Sequence, residues 1–498
     1  MDRLSRLAPV GVLRITILFV LAAPPAIADP HFAPPQLPAV YDESAGRSAL
    51  PRQALDHWWL LFDDPALNSL EDEALRTAPD ALTQEARLIE ARATFRSEID
   101  QTLPQGEISG NASQQNAQSV TGNQNSLFPI GGVTTTESVT FSPSWEIDLF
   151  GRLAVQRRVA KYDWAATRFN IEGAVSSLVA GVADEYFNAS GLGIQIEDAR
   201  ETVRIDSGLE QVARQKAELG LGAASDADRV AADVAQAKAT LEDLTSQLHA
   251  SRRRLLILIG RAAAPVDTIS LRTEVADAPP PPAALPAELL TRRPDVREAE
   301  EDLRSAAGLD KLRHLALFPT FTILPQFGLS HVTQPSTGYN PATGVFYPVN
   351  QTTSIGFWTW AGGVTVPLLN IPQLLSEAKA QGARTREAAI AYEKIVQTAY
   401  GEAENAMIDL AAGERAAAVL ADGEVRARRA SDAASTRYKM GLDDLTTALS
   451  AEQAWRNTRD SLTLQRVQSL RRAVVAYKAL GGGWAYTTQT IAPRDPPR

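Results

Sequence analysis

From residue 57 to residue 482 the chain reads as one unit written twice, and a duplication of that size restricts it to folds that set two equivalent halves side by side. Pro79-Asp80, inside ALRTAPDA, returns 215 residues later as Pro294-Asp295 inside LLTRRPDV. Leu103-Pro104 returns after 215 residues as Phe318-Pro319, and Asp148-Leu149-Phe150 after 219 as Pro367-Leu368-Leu369. Gly220-Leu221 returns after 221 as Gly441-Leu442. One pair would be chance, but four in the same order at nearly constant offset point to duplication. The copies are predicted at 57–261 and 285–482, joined by a Pro-rich linker over 262–284 that contains the stiff run Ala278-Pro-Pro-Pro-Pro-Ala283.

Within each copy the periodicity changes in one order: helix, strand, loop, strand, very long helix, tight turn, return helix. Val139, Phe141, Pro143, Trp145, Ile147 and Leu149 alternate with Ser138, Thr140, Ser142, Ser144, Glu146 and Asp148, so one strand face is apolar. Phe321, Ile323, Phe327 and Leu329, then Trp358, Trp360, Val364, Val366 and Leu368, repeat the pattern. Strands of about ten residues with aromatic ends suit a tilted membrane strand. A half-buried strand of a soluble sandwich carries the same alternation. Residues 114–137 and 332–353, rich in Asn, Gln, Gly, Ser and Thr, read as long solvent-facing hairpin loops and favour the barrel.

From Leu153 to Leu219, and again from Gln373 to Lys439, 67 residues pass without a proline. A continuous helix of that length extends roughly 100 Å, more than any bilayer. Each ends at a glycine, Gly220 or Gly441, suited to the positive φ that stops a helix. The first return helix places Val230, Val234, Ala237, Leu241, Leu244 and Leu248 at spacings of four and three, a coiled-coil seam. The second keeps that rhythm with Ala448, Ala451, Trp455, Thr458 and Leu462.

The 498 residues, 44% hydrophobic and 22% charged, exclude general disorder and supply two to four domains or one elongated one. With 49 basic against 59 acidic residues, and Arg252-Arg253-Arg254 as the longest basic run, a nucleic-acid partner is not expected. Cysteine is absent, which removes disulfides, thiolate metal sites and S-linked lipid. The five histidines never fall at metal-binding helical spacing, and no phosphate-cradling or nucleophile motif survives inspection, so neither enzyme nor cofactor is expected. Gly191-Leu-Gly193, for example, lies within a predicted helix and lacks its third glycine.

Arg3 and Arg6, the apolar run Ile15 to Ala23 and the site Ala26-Ile27-Ala28 read as a signal peptide over 1–28, with an uncleaved anchor as the alternative. The mature chain then carries 46 basic and 58 acidic residues, a net −12. Residues 29–56 are expected to be extended and 483–498 a flexible tail. No later stretch approaches the roughly 18 apolar residues of a spanning helix, so any membrane crossing would be a barrel.

HWWLLFDDPALNSLEDEAL (57–75), SWEIDLFGR (144–152), LPAELLTRRPDVREAE (285–300) and VPLLN (366–370) resemble the signature stretches of the TolC-like outer-membrane efflux channels, particularly the branch serving multidrug pumps. The resemblance implies an α+β membrane protein in which a homotrimer forms one 12-stranded barrel, four strands per protomer, continued by a periplasmic coiled-coil barrel. It implies a passive exit duct for small molecules in a Gram-negative outer membrane, in contact with its lipid and working with an inner-membrane pump and a periplasmic adaptor. A type I protein secretion duct is the alternative within the class, and a periplasmic coiled-coil scaffold without a pore the alternative outside it. Members of the branch commonly carry a lipid-modified cysteine at the mature N-terminus; this chain has no cysteine, so lipid anchoring is not expected.

Carried over residue by residue, the resemblance implies that Tyr438 bonds Asp226 across the two hairpins near the tip. It also places Asp443 two residues after the turn glycine as a gate acid, with Asp444 beside it. A solvated, helix-starting charge remains the alternative for both acids. Thr447 and Ser450 stand where one branch has pore aspartates. Gly220, Leu221, Gly441 and Leu442 are the turn residues expected to meet the adaptor.

Overall fold

The computed structural model describes residues 37–39, 41, 55–117, 132–272, 277–279 and 286–482. The signal peptide, most of 29–56, part of the linker and the tail lie outside the described residues.

The first copy runs α1 (Pro65–Thr77), α2 (Pro79–Asp100), β1 (Gln105–Ala117), β2 (Gly132–Ile147), α3 (Arg152–Glu218) and α4 (Ala224–Leu258). The second runs through a single helical turn (Leu289–Arg292), α5 (Pro294–Leu315), β3 (Thr320–Asn340), β4 (Val345–Thr365), α6 (Ile371–Lys439) and α7 (Leu445–Ala479). Equivalent helices match in length: α2 and α5 have 22 residues each, α3 and α6 have 67 and 69, α4 and α7 have 35 each. Pro79 and Pro294 open their helices for the same reason. Each forces its predecessor, Ala78 or Arg293, into extended backbone, and its own missing N–H falls where a helix has no partner for one.

The strands form one antiparallel sheet in the order β1-β2-β3-β4. Ile108 pairs with Phe141, Phe141 with Phe327, and Phe327 with Trp358, so the apolar positions of all four strands share a face. Among the described residues no helix covers that face: Ile108 is 75% exposed and Trp358 71%. On β3 the apolar belt runs from Phe321 to Leu329, about 27 Å along the strand, which at a tilt of about 40° covers roughly 21 Å, most of an outer-membrane band roughly 25 Å tall. Above it the same face turns polar, with His331 bonded to Ser354 at 2.9 Å and Thr333 to Thr352 at 3.1 Å.

The strands outrun the expected ten residues, with 13, 16, 21 and 21. Residues 332–353 are therefore not a long loop. They continue β3 and β4 in register around a short turn at 341–344, where Gly344 takes a φ of 67°. Polar composition misled because hydropathy alternation marks only the lipid belt, whereas the backbone ladder continues into water. Of 114–137, residues 118–131 lie outside the described residues and the remainder is strand.

α2, α3, α5 and α6 pack side by side next to the sheet; farther along, α3 pairs with α4 and α7, and α6 with α7. On α4, Val230, Val234, Ala237 and Leu248 are buried and Leu241 and Leu244 half-buried, as the seam predicts. Near the middle of α3 both copies meet in the main core. The Trp58 ring lies parallel to Tyr477 at 6.0 Å, beside Phe62 and Phe187. Buried Asp64 caps α1 through Ala66 N and Leu67 N and accepts the Tyr186 hydroxyl at 2.8 Å. Just beyond, Val467 lies so close to Gly191 that a Cβ there would sit 2.5 Å from its Cγ2. Gly191 is a helix-contact residue. Arg293 of the RRPD stretch, 8% exposed, ties the second copy together by ion pairs to Asp295 and Glu402 and a bond to Ala479 O. Among the described residues no helix is long and apolar enough to cross a membrane.

Candidate gate at the helical tip

Both hairpins close with the same backbone geometry. Gly220 has a φ of 71° and Gly441 of 75°. Leu221 N reaches back to Lys216 O at 2.8 Å, and Leu442 N to Arg437 O at 2.9 Å, the six-to-one bond that ends a helix on a left-handed residue. This tight reversal pushes apolar side chains into water: Leu221 is 75% exposed and Leu442 65%. Leu219 and Met440 are exposed beside them.

Behind the turns the two copies share a small core of Leu209, Ala213 and Val230 with Tyr438, Leu445, Ala448 and Leu449. The Tyr438 ring is 5% exposed and carries the Lys216 ammonium 4.0 Å from its centroid. Arg229 of α4 reaches Thr446 Oγ1 of α7 at 3.3 Å. These contacts join the hairpins. A Tyr438–Asp226 hydrogen bond is not among them: half-buried Asp226 sits in the first turn of α4, where its charge favours the helix N-terminus, and the Tyr438 ring is held by packing and by Lys216.

The two neighbouring acids take different roles. Asp444 is the N-cap of α7, accepting from Thr447 N at 2.7 Å, and bonds from Thr447 hold its carboxyl below the usual range. That is the helix-starting role. Asp443 receives Arg437 Nε at 2.7 Å and Nη2 at 2.9 Å, and this guanidinium lowers its carboxyl. Asp443 is therefore not a bare acid: the Arg437 guanidinium offsets its charge. Sequence reasoning missed Arg437, Lys216 and Arg229. Arg437 carried a signal: a basic residue in the last helical turn, six positions before an acid across a reversal. Thr447 and Ser450 are exposed, the Ser450 hydroxyl donating to Thr447 O at 3.1 Å. Among the described residues no group of three acids or histidines is placed to hold a metal.

A sheet with an uncovered apolar face, continued by two long hairpins that end in exposed turns, is the architecture of a membrane channel component. The family of outer membrane efflux proteins matches at residues 70–261 and 285–482, and the chain belongs to that family. Its two matched stretches correspond to the two structural copies. The pyoverdine export outer membrane protein OpmQ of Pseudomonas aeruginosa is 27% identical, over 91% of this chain and 92% of its own length. The probable efflux pump outer membrane protein TtgC of Pseudomonas putida is 25% identical over 91% and 92%. Among solved structures, the outer-membrane channel OprN superposes with a TM-score of 0.74 at 25% identity, over 91% of this chain and 99% of that one. The Campylobacter jejuni CmeC channel superposes at 0.76 and 19% identity, a likeness of fold. The protein is thus a non-enzymatic channel component of an outer-membrane efflux system.

Proposed function

We propose that three copies assemble into the exit duct of a tripartite efflux system, each contributing four strands to a shared barrel and two hairpins to a periplasmic tunnel. The observation that carries this is the sheet: among the described residues β1 and β4 have no neighbour on their outer edges, and even the smallest bacterial barrels need about eight strands. Edge-to-edge pairing between copies satisfies those backbone groups and gives the apolar face its lipid. The exposed turns at Gly220-Leu221 and Gly441-Leu442 are the docking points for a periplasmic adaptor, which links the duct to an inner-membrane pump. The cargo class is small molecules, in keeping with relatives named for pyoverdine export and efflux pumps. Processing after Ala28 and the division into copies at 57–261 and 285–482 belong to the same proposal.

The test reconstitutes the purified protein in planar bilayers and compares drug export by cells with and without the gene. Discrete channel conductance together with loss of export on deletion is expected. A protein that fractionates as soluble and gives no conductance contradicts the proposal.

A further inference from the structure

The stretch of α3 that leads to the tip faces α7 across a seam carrying charge rather than hydrocarbon. Arg456 Nη1 of α7 donates to Asp206 Oδ2 of α3 at 2.8 Å, and Arg456 Nη2 lies 3.8 Å from Glu452 Oε1, one turn earlier on its own helix. Asp206 is 1% exposed and Glu452 6%. One turn farther along α7, Arg459 pairs with buried Asp198 of α3. Asp206 Oδ1 and Glu452 Oε1 are buried without a hydrogen-bond donor, and so is Asp198 Oδ2.

Two carboxylates around one guanidinium leave a surplus negative charge away from water and acceptor oxygens without donors. One proton on Glu452 removes the surplus charge of the clasp and turns one of these unpartnered oxygens into an O–H donor. We infer that Asp206, Glu452 and Arg456 form a clasp that holds α7 on α3 more tightly once Glu452 has taken up a proton. The clasp lies 14 residues before Gly220, about 20 Å from the tip along α3, and its components come from different hairpins.

The electrostatics agree. Burial, with Asp206 adding to it and Arg456 opposing it, pushes the Glu452 carboxyl up to about 7. Burial also pushes Asp198 up to about 6, against the pull of Arg459. The other charged groups around the clasp come from every packed element. α3 supplies Asp198, α4 supplies Asp233, α7 supplies Arg459 and Asp460, and α6 supplies Glu424, which accepts the Trp455 indole N–H at 2.8 Å. Asp233 and Asp460 are exposed, on the walls of an open cavity of about 330 Å³ that Asp206 and Arg456 also line. That cavity reaches the Asp206 and Arg456 members of the clasp, and Glu452 lies behind them.

The sign follows from the raised carboxyl. Docked α7 binds the proton more tightly than released α7, so docking weakens as pH rises through about 7. Taking a released value of 4.5, the opening constant of the seam rises about tenfold between pH 6 and pH 8.

The experiment is amide hydrogen exchange on the purified full-length channel in detergent at pH 6 and pH 8, with rates corrected for intrinsic exchange. It follows residues 445–460 against residues 371–400 of α6. Protection of 445–460 about tenfold greater at pH 6, with little change in 371–400, is expected. Glu452→Gln, which keeps a neutral donor at all pH, should lose the difference, while Asp233→Asn should retain it. Equal corrected protection at the two pH values in the native channel overturns the inference, as does an undiminished difference in Glu452→Gln or its loss in Asp233→Asn. The readout does not depend on whether the tip gates conduction.

Discussion

At the middle of α3, Trp58 stacks on Tyr477 among fully buried side chains drawn from both copies; at the end of α3, Tyr438 sits in a core of seven residues beneath exposed leucines. The first region is closed by large aromatic surfaces and a satisfied Asp64–Tyr186 bond. The second is closed by a few aliphatic side chains and two alanines, one tyrosine ring under a cation, and ion pairs between and along the helices. Interlocked aromatic surfaces must separate before they can slide, whereas an exposed ionic contact such as Arg437–Asp443 can be exchanged for water at modest cost. The middle is therefore a rigid collar, and the seam toward the tip is the more easily parted region.

The largest test of this contrast is Trp58→Ala. Removing a fully buried indole from the collar should cost about 3–5 kcal/mol and lower the thermal midpoint of the whole protein. Tyr438→Ala should cost less, about 2–4 kcal/mol, with the loss confined to the tip in hydrogen exchange. Tyr438→Phe separates two accounts of the tip. The ring packing and the Lys216 contact survive it, so protection near residues 436–450 should stay within a factor of two, whereas a Tyr438–Asp226 latch would lose about 1 kcal/mol per protomer.

Within the collar one group runs against the pattern. Glu71 is 0% exposed and both its carboxyl oxygens lack partners. Burial raises its carboxyl well above the usual range, so the fold favours the protonated acid and loses stability as pH rises above the unfolded value near 4.5. Glu71→Leu should therefore stabilise the collar by about 1–3 kcal/mol, with a larger gain in melts at pH 8 than at pH 5. The smallest effect is expected from Arg437→Gln, which releases Asp443 without disturbing a core. Cation preference in planar bilayers should rise modestly and fall away with added salt.

Much of this architecture was legible in the residues because repetition and period survive without tertiary information. The proline starts of α2 and α5, the proline-free lengths of α3 and α6 and the turn glycines all carry local signals. The extension of β3 and β4 through 332–353 did not, since polar residues in a ladder beyond the lipid belt look like residues in a loop. The site was less legible than the fold. Asp444 as a cap follows from its position before α7, but the pairing of Asp443 with Arg437 depends on how closely a glycine turn folds the chain back. The Lys216–Tyr438 and Arg456–Asp206 contacts join residues more than two hundred positions apart, which no local spacing reveals.

On the proposed assembly, the four-stranded sheet is one part of a barrel closed by other copies of the same chain. Native mass spectrometry of the protein released from mild detergent micelles tests it most directly. One dominant species with the mass of three processed chains is predicted, collapsing to single chains only on heating. A folded monomer that persists across protein concentrations, with its helices intact by circular dichroism, would contradict it.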